Sequence, residues 1–308
     1  MARSIEYRLP HDRGFMLWRL DEGTRWLEES VERWVSAMLI DDGIDNQKSG
    51  YDRIVDFSII SRQDGILVGA WAVDYILASY TSDVDAIWNF QDGEVIRSGD
   101  VVAIISGRRG SILALERCIL NVIAQLSGIA TNTAKWVVSS PVPIACTRKT
   151  IWGLLDKWAV HMGGGLTHRL SLADAAMLKE NYLVSENGVE DSIVDLVSEI
   201  TEDEIGAFLT VEVRSENEAI VAAKAWIEKD PHRKCVIMLD NLGPDGARLA
   251  DVALREVGIR SNVILEGSGG ITFESLPEWA DCGIDVISTS LLNRGTNPHD
   301  FSMLIDGA

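Results

Sequence analysis

The sequence predicts an α/β protein in which a mixed α and β N-terminal domain is followed by a parallel sheet covered by helices. After Gly128, short apolar runs alternate with segments of helical period, the pattern of successive βα units. Nearly every one of those runs ends in charged, amide or hydroxyl residues. Such a ring of functional groups belongs to the C-terminal face of a βα barrel, whereas a doubly wound sheet gathers them at one switch point. Before Gly128 the alternation is missing, and strand-like runs are joined by turn signals.

Taken in order, residues before about Gly23 form an N-terminal arm. Arg25 to Leu39 is an amphipathic helix, because Trp26, Leu27, Val31, Trp34, Val35 and Met38 recur at helical spacing. Asp41 to Tyr51 is polar and reads as a loop. Val55 to Ile60, Gly65 to Val73 and Val101 to Ser106 are strand-like, with turns at Asp92-Gly93 and Gly99-Asp100. Ser111 to Gly128 is a long helix that buries Ile112, Leu115, Ile119, Val122, Ile123 and Leu126. Beyond it, strands are expected at Val142 to Cys146, Ala173 to Leu178, Phe208 to Val213, Cys235 to Leu239, Val263 to Leu265 and Asp285 to Ser288. Helices fall between them at Gly153 to His161, Val189 to Glu199, Glu216 to Glu228, Pro244 to Val257 and Phe273 to Cys282.

A chain of 308 residues can bury a substantial core, and its net charge of -19 argues against nucleic-acid or anionic-membrane partners, which need a basic surface. No apolar run approaches the ~20 residues of a spanning helix, and the N-terminus has no apolar signal core. Cys118, Cys146, Cys235 and Cys282 lack paired spacing and read as reduced thiols of a cytoplasmic protein. The five histidines are dispersed, which makes a zinc site improbable.

Against this acidic background, the cations between Cys146 and Asn181 stand out. Arg148 and Lys149 follow one strand, His168 and Arg169 follow a glycine run, and Lys179 follows the next strand. Cations placed repeatedly at the ends of buried strands imply an anionic guest, here a polycarboxylate with phosphates. Ser268-Gly269-Gly270 follows a late strand and precedes the expected Phe273 helix. Glycines let backbone N–H groups approach a phosphate, and Ser288-Thr289-Ser290 ends the neighbouring strand. Asp240 and Glu266, also at strand ends, suit sugar hydroxyls or a divalent ion. Arg117, beside Glu116 on the long helix, reads on its own as one partner of an intrahelical ion pair.

Glu116-Arg117, Leu126-Ser127-Gly128-Ile129-Ala130-Thr131, Thr147-Arg148-Lys149-Thr150, Gly163-Gly164 with His168-Arg169, Met177-Leu178-Lys179, Leu239-Asp240-Asn241 and Ser268-Gly269-Gly270-Ile271 together resemble the quinolinate phosphoribosyltransferase family, also called carboxylating nicotinate-nucleotide pyrophosphorylases. The resemblance implies an N-terminal α/β sandwich at residues 1–127 and an incomplete (β/α) barrel of the type II phosphoribosyltransferase kind at 128–290. A C-terminal tail at 291–308 would return to the sandwich. It implies that quinolinate and phosphoribosyl pyrophosphate, with Mg²⁺, give nicotinate mononucleotide, pyrophosphate and CO₂. By the family pattern Lys149, Lys179 and Asp240 are catalytic, and Asp240 would face Mg²⁺ through the pyrophosphate. Arg117, Arg148, Lys149, His168, Arg169, Lys179, Glu212 and Glu266 would line the substrate site, while Ser268, Gly269, Gly270, Ser288, Thr289 and Ser290 would take phosphate. Arg117 would come from the partner in a homodimer with shared active sites, and a higher oligomer stays open.

Three places depart from the family: Ile151-Trp152 where Thr-Pro is usual, Glu180-Asn181-Tyr182 after Lys179, and Arg214 where an acid is expected. They leave two further readings open at this level. One is phosphoribosyl transfer to another carboxylated heterocycle, and the other is a non-catalytic ligand binder.

Overall fold

The structure, a computed structural model, describes residues 9–43, 53–179 and 189–305. Most of the expected Asp41 to Tyr51 loop, and Glu180-Asn181-Tyr182, lie outside them. The chain divides into two compact units, one containing residues 14–135, 149–165 and 292–305, the other residues 9–13, 136–148 and 166–291.

The first unit opens with a hairpin, β1 (Trp18–Arg19) and β2 (Glu22–Gly23). Leu20 and Asp21 turn it at φ 50° and 62°, the left-handed pair that a two-residue hairpin loop requires. The arm therefore packs as regular structure, with Leu17 fully buried and Trp18 stacked on Trp158 at 5.2 Å. Helix α1 (Arg25–Asp41) follows and buries Leu27, Val31, Val35 and Leu39, as its apolar spacing requires. Strands β3 (Ile54–Ser61), β4 (Gly65–Ile66), β5 (Val84–Trp88), β6 (Val95–Ile96) and β7 (Val101–Arg108) come next, with helix α2 (Ala70–Tyr80) between β4 and β5. An antiparallel sheet is ordered β5, β7, β3 and then the C-terminal strand Phe301–Ile305, which pairs along β3 from Ser61 to Phe57.

The expected strand over Gly65 to Val73 is corrected to two residues of strand and a helix. Gly69, at φ 120°, breaks the strand. The Asp92 carboxylate then accepts the N–H groups of Gly69, Ala70 and Trp71 at 2.5, 3.0 and 2.9 Å. This satisfies the orphan donors of α2 from a residue distant in sequence.

Helix α3 (Arg109–Ser139) runs on past Gly128. By length and composition it could cross a bilayer. All six predicted core positions, from Ile112 to Leu126, are nevertheless 3 % exposed or less, so it is a core helix. Helix α4 (Leu154–Met162) completes this unit.

The second unit contains β8 (Ile144–Ala145), β9 (Ala176–Leu178), α5 (Val189–Glu199), α6 (Glu202–Ile205), β10 (Leu209–Val213), α7 (Glu216–Lys229), β11 (Cys235–Asp240), α8 (Gly243–Glu256), β12 (Val263–Ser268) and β13 (Val286–Ser288). Its sheet is parallel throughout, in the order β8-β13-β12-β11-β10-β9. First and last strands are neighbours, while β8 and β9, consecutive in sequence, stand at the two ends of the order, with Leu166 bridged in parallel along the outer side of β8. That order is a βα barrel interrupted at one seam. The helix expected over Phe273 to Cys282 is corrected to a single 3-10 turn, Leu276–Trp279. Pro277 cannot donate to an α-helical ladder, and the Thr272 and Ser275 side chains bond each other's backbone N–H instead.

Candidate active site

Pairing register fixes which side chains of the barrel share a level. Val236 pairs with Ile264, Glu212 with Met238, Met238 with Glu266, and Glu266 with Val286. Two residues further on, Asp240 pairs with Ser268, Ser268 with Ser288, and Ser288 with Ala145. Side chains alternate along a strand and paired residues point the same way, so these positions form successive rungs on one face. Val236 and Ile264 belong to an apolar cluster with Ala145, Leu166, Ala175, Phe208 and Val286, and Leu9 packs against it. Beyond Val236 and Ile264 along the strands come the carboxylates of Glu212 and Glu266, then Asp240 with the two serines. Polarity therefore rises toward the strand C-termini, where barrel sites are built.

Glu266 occupies the middle rung, fully buried. His11 donates from Nε2 to Glu266 Oε2 at 2.9 Å, and His168 Nε2 lies 3.3 Å from the same oxygen. The two imidazoles meet edge to face at 4.8 Å, and Phe208 lies tilted against both. Burial alone would push the Glu266 carboxyl up. The His168 imidazole and the His11 hydrogen bond outweigh burial and hold it well below the ordinary range.

His168 sits at φ 51°, a left-handed conformation that costs of order 1 kcal/mol and marks functional positions. Its Nδ1 accepts the Arg169 N–H at 2.7 Å. Arg169 is buried, with Nη1 donating to the Ala175 carbonyl at 3.0 Å and Nη2 lying 3.5 Å from Met177 Sδ. Sequence reasoning missed His11, and no local pattern around it could have revealed the role. It also missed Arg13, whose guanidinium reaches buried Asp174 at 2.7 Å and whose N–H donates to Thr167 Oγ1 at 3.0 Å.

At the rim, Lys179 Nζ meets Glu212 at 2.8 Å, and Arg214 Nη2 lies 3.8 Å from Asp240. Arg214 is held at the start of α7, where its N–H donates to Glu218 Oε2 at 2.8 Å. Ser288 and Ser268 bring their hydroxyls within 3.2 Å. Gly269, at φ 93°, must be glycine twice over, because a Cβ there would also overlap the Asn241 amide. Gly270 borders open space. Thr289 is buried and ties the loop down by donating to the Ile271 carbonyl at 3.1 Å, while Ser290 begins a 3-10 turn. No α-helix follows Gly270 directly, so this turn offers glycine backbone and serine hydroxyls and no helix N-terminus.

Arg148 and Lys149 are exposed just past β8. In the unit to which Lys149 belongs, buried Asn293 donates to the Lys149 carbonyl and to Asp156, both at 2.9 Å. Asp156 also takes the N–H groups of Ile151 and Trp152 at 2.8 and 3.1 Å, and Trp152 stacks on Trp34 of α1 at 6.4 Å. The Ile151-Trp152 departure is thus matched to an aromatic partner on the N-terminal helix. Arg117 is exposed on α3.

Among the described residues, the one set of three ligand-type side chains close enough for a metal is His11, His168 and Glu266. No cluster of that kind among the described residues includes Asp240. Its donor set suits a cation already carried on a diphosphate rather than one held by protein alone.

A sheet domain joined to a single-seam barrel with cations, paired serines and a glycine turn at its mouth is the architecture of a type II phosphoribosyltransferase. The quinolinate phosphoribosyl transferase models match here, the N-terminal domain over residues 45–127 and the C-terminal domain over 129–304. The chain belongs to that family. A probable carboxylating nicotinate-nucleotide pyrophosphorylase of Archaeoglobus fulgidus is 36% identical over 258 residues, covering 82% of this chain and 94% of that protein. A counterpart in Methanothermobacter thermautotrophicus is 32% identical, over 81% of this chain and 88% of its own. Among solved structures, the nicotinate-nucleotide pyrophosphorylase of Francisella tularensis superposes with a TM-score of 0.77 at 27% identity, covering 91% of this chain and 97% of that one. Residues 9–43 precede the region matched by either family model.

Proposed function

We propose that this protein transfers the phosphoribosyl group of phosphoribosyl pyrophosphate to quinolinate and releases CO₂, giving nicotinate mononucleotide and pyrophosphate. The observation that carries the reading is the order of rungs at the barrel mouth. Lys179 stands beside Glu212 of β10 and Arg214 beside Asp240 of β11; β11 neighbours β12, which ends in the Ser268 to Gly270 turn, and Ser288 of β13 lies one strand further on. The names borne by the relatives favour it over transfer to another heterocycle and over a non-catalytic binder.

The pyridine nitrogen bonds to ribose C1 as the bond to pyrophosphate breaks, and the leaving group takes the electron pair. Positive charge builds on the ribose, so the site must align the nitrogen and neutralise the diphosphate. The nitrogen, now quaternary, stabilises the pair left on C2 when the 2-carboxylate departs as CO₂, and C2 takes a proton from water. Arg148, Lys149, Arg169 and Lys179 hold the two carboxylates, joined by Arg117 from a second copy of the chain, and His168, bonded to the Arg169 N–H and facing Glu266, shapes the pocket beside them. Ser268 to Gly270 and Ser288 to Ser290 hold the 5′-phosphate. Asp240 would offer a carboxylate to a Mg²⁺ carried on the diphosphate, which would help neutralise the leaving group.

Self-pairing of the rim charges does not oppose this reading. Lys179 and Arg214 side chains are 43% and 53% exposed, and ion pairs that open to solvent are worth about 0.2–1 kcal/mol. A dianion can displace them at small cost. Arg214 beside Asp240 adds a cation on the phosphoribosyl side, and the four free, buried cysteines suit a cytoplasmic setting.

The test is conversion of quinolinate with phosphoribosyl pyrophosphate and Mg²⁺ by the purified full chain, reading nicotinate mononucleotide and CO₂. The two products are expected in equal amounts. No turnover by folded protein would overturn the proposal, and turnover confined to a different carboxylated heterocycle would redirect it.

A further inference from the structure

Residues 9–13 precede the region matched by the family models, yet they pack inside the barrel unit. Leu9 lies against its apolar cluster, Arg13 bonds Asp174 and Thr167, and between them His11 reaches Glu266 with no exposed surface. Asp174 in turn accepts the Leu170 N–H at 2.8 Å. The arm thus braces both ends of the His168-Arg169 segment. Glu266 Oε2 is the shared acceptor, receiving His11 Nε2 at 2.9 Å and facing His168 Nε2 at 3.3 Å.

Two imidazoles and a carboxylate converging on one point also suit a transition metal, and hydrogen bonding at His168 argues against it. Metal-bound histidines donate from their second nitrogen. Here Nδ1 of His168 accepts a hydrogen bond from the Arg169 N–H, which leaves the imidazole proton on Nε2, directed at Glu266. A nitrogen that carries its proton has no lone pair for a metal. His11 must likewise present Nε2–H, because an ionised carboxylate only accepts.

We propose that His11 is a positioning residue: by anchoring the Glu266 carboxylate it fixes His168, and with it the Arg169 backbone, in the geometry that receives the pyridine dicarboxylate. The inference rests on the phosphoribosyl transfer to quinolinate proposed above. Loss of the His11 donor would leave the Glu266 carboxylate free to rotate toward His168. The strained His168 turn, held from both sides in the intact protein, would then relax.

The test is steady-state kinetics of the full-length protein carrying His11→Ala or His11→Gln, with metal content and thermal midpoint measured on the same samples. For His11→Ala the KM for quinolinate should rise by about 10-fold or more, the loss of one charge-assisted hydrogen bond. The KM for phosphoribosyl pyrophosphate should stay within about 2-fold, because its proposed site draws on other rungs. The glutamine amide can still donate to Glu266, so His11→Gln should recover most of the quinolinate affinity. A lower thermal midpoint with both KM values unchanged would reduce His11 to a packing residue and overturn the proposal. So would a stoichiometric metal in the wild-type protein that His11→Ala removes. If the wild-type protein does not convert quinolinate, the functional reading fails; if it does and His11→Ala matches it, only the role of His11 fails.

Discussion

Two carboxylates, one in each unit, receive converging hydrogen-bond donors and respond in opposite directions. Asp92 accepts three backbone N–H groups at the start of α2, yet burial dominates and its carboxyl is pushed up to about 6. Glu266 is entirely enclosed, and the His168 and His11 imidazoles hold it below the ordinary range in spite of burial. Three peptide N–H groups satisfy the geometry of Asp92 without overcoming its burial, whereas the imidazole N–H groups aimed at one oxygen of Glu266 favour its ionised form. The carboxylate kept ionised is the one inside the barrel, where an ordered charge can orient a ligand. The other fastens a helix.

The largest effect should come from Glu266→Ala, which strands two buried imidazoles facing each other. Removing the acceptor leaves two buried imidazole N–H donors unsatisfied at about 1–3 kcal/mol each, measurable as a drop in urea-unfolding free energy at pH 7. A loss below about 1 kcal/mol would mean that Glu266 and the histidines are not a coupled group. Glu266→Gln adds a pH test. A depressed carboxyl contributes stability above its unfolded value of 4.5 and loses that contribution as pH falls toward the folded value. The advantage of wild type over Glu266→Gln should therefore shrink as pH drops below about 4.5.

Asp92 should show the reverse slope. A carboxyl raised from 3.8 to about 6 contributes stability below 3.8 that is lost as pH rises through 6. Relative to Asp92→Asn, wild type should lose about 2–3 kcal/mol between pH 4 and pH 7, at about 1.4 kcal/mol per pKa unit. Paired urea titrations across that range measure it. Parallel pH slopes for the two variants would collapse the distinction between the two carboxylates.

The same contrast explains what was legible in the sequence. Barrel strands such as Cys235–Asp240 and Val263–Ser268 announce themselves because both faces are buried, which forces an apolar run, and because the run ends where chemistry begins. Glu266 and Asp240 were visible as strand-end acids for that reason. The N-terminal side of α2 was misread because its cap is Asp92, 21 to 23 residues away, and an apolar run of that length is compatible with strand or helix. His11 left no trace at all. Its partner is 255 residues distant, and a single histidine after a proline carries no periodicity.

The smallest effects should lie at the rim, where the same kinds of charge pair stand in contact with water. Lys179→Met removes a partner of Glu212, and Arg214→Glu sets an acid beside Asp240. The side chains concerned are 43% and 53% exposed, so each variant should change unfolding free energy by no more than about 1 kcal/mol. Activity should separate from stability here. Lys179→Met should raise the KM for quinolinate, whereas Arg214→Glu should act on the KM for phosphoribosyl pyrophosphate, because the guanidinium stands with Asp240 on the side assigned to the diphosphate. The pairs made by the water-facing side chains of Lys179 and Arg214 are cheap to rearrange and can be surrendered to a ligand, while the enclosed charge of Glu266 is expensive to disturb and so can fix where that ligand sits. If Arg214→Glu instead destabilised the fold as strongly as Glu266→Ala, rim and interior would be one electrostatic unit and the division of labour between them would not hold.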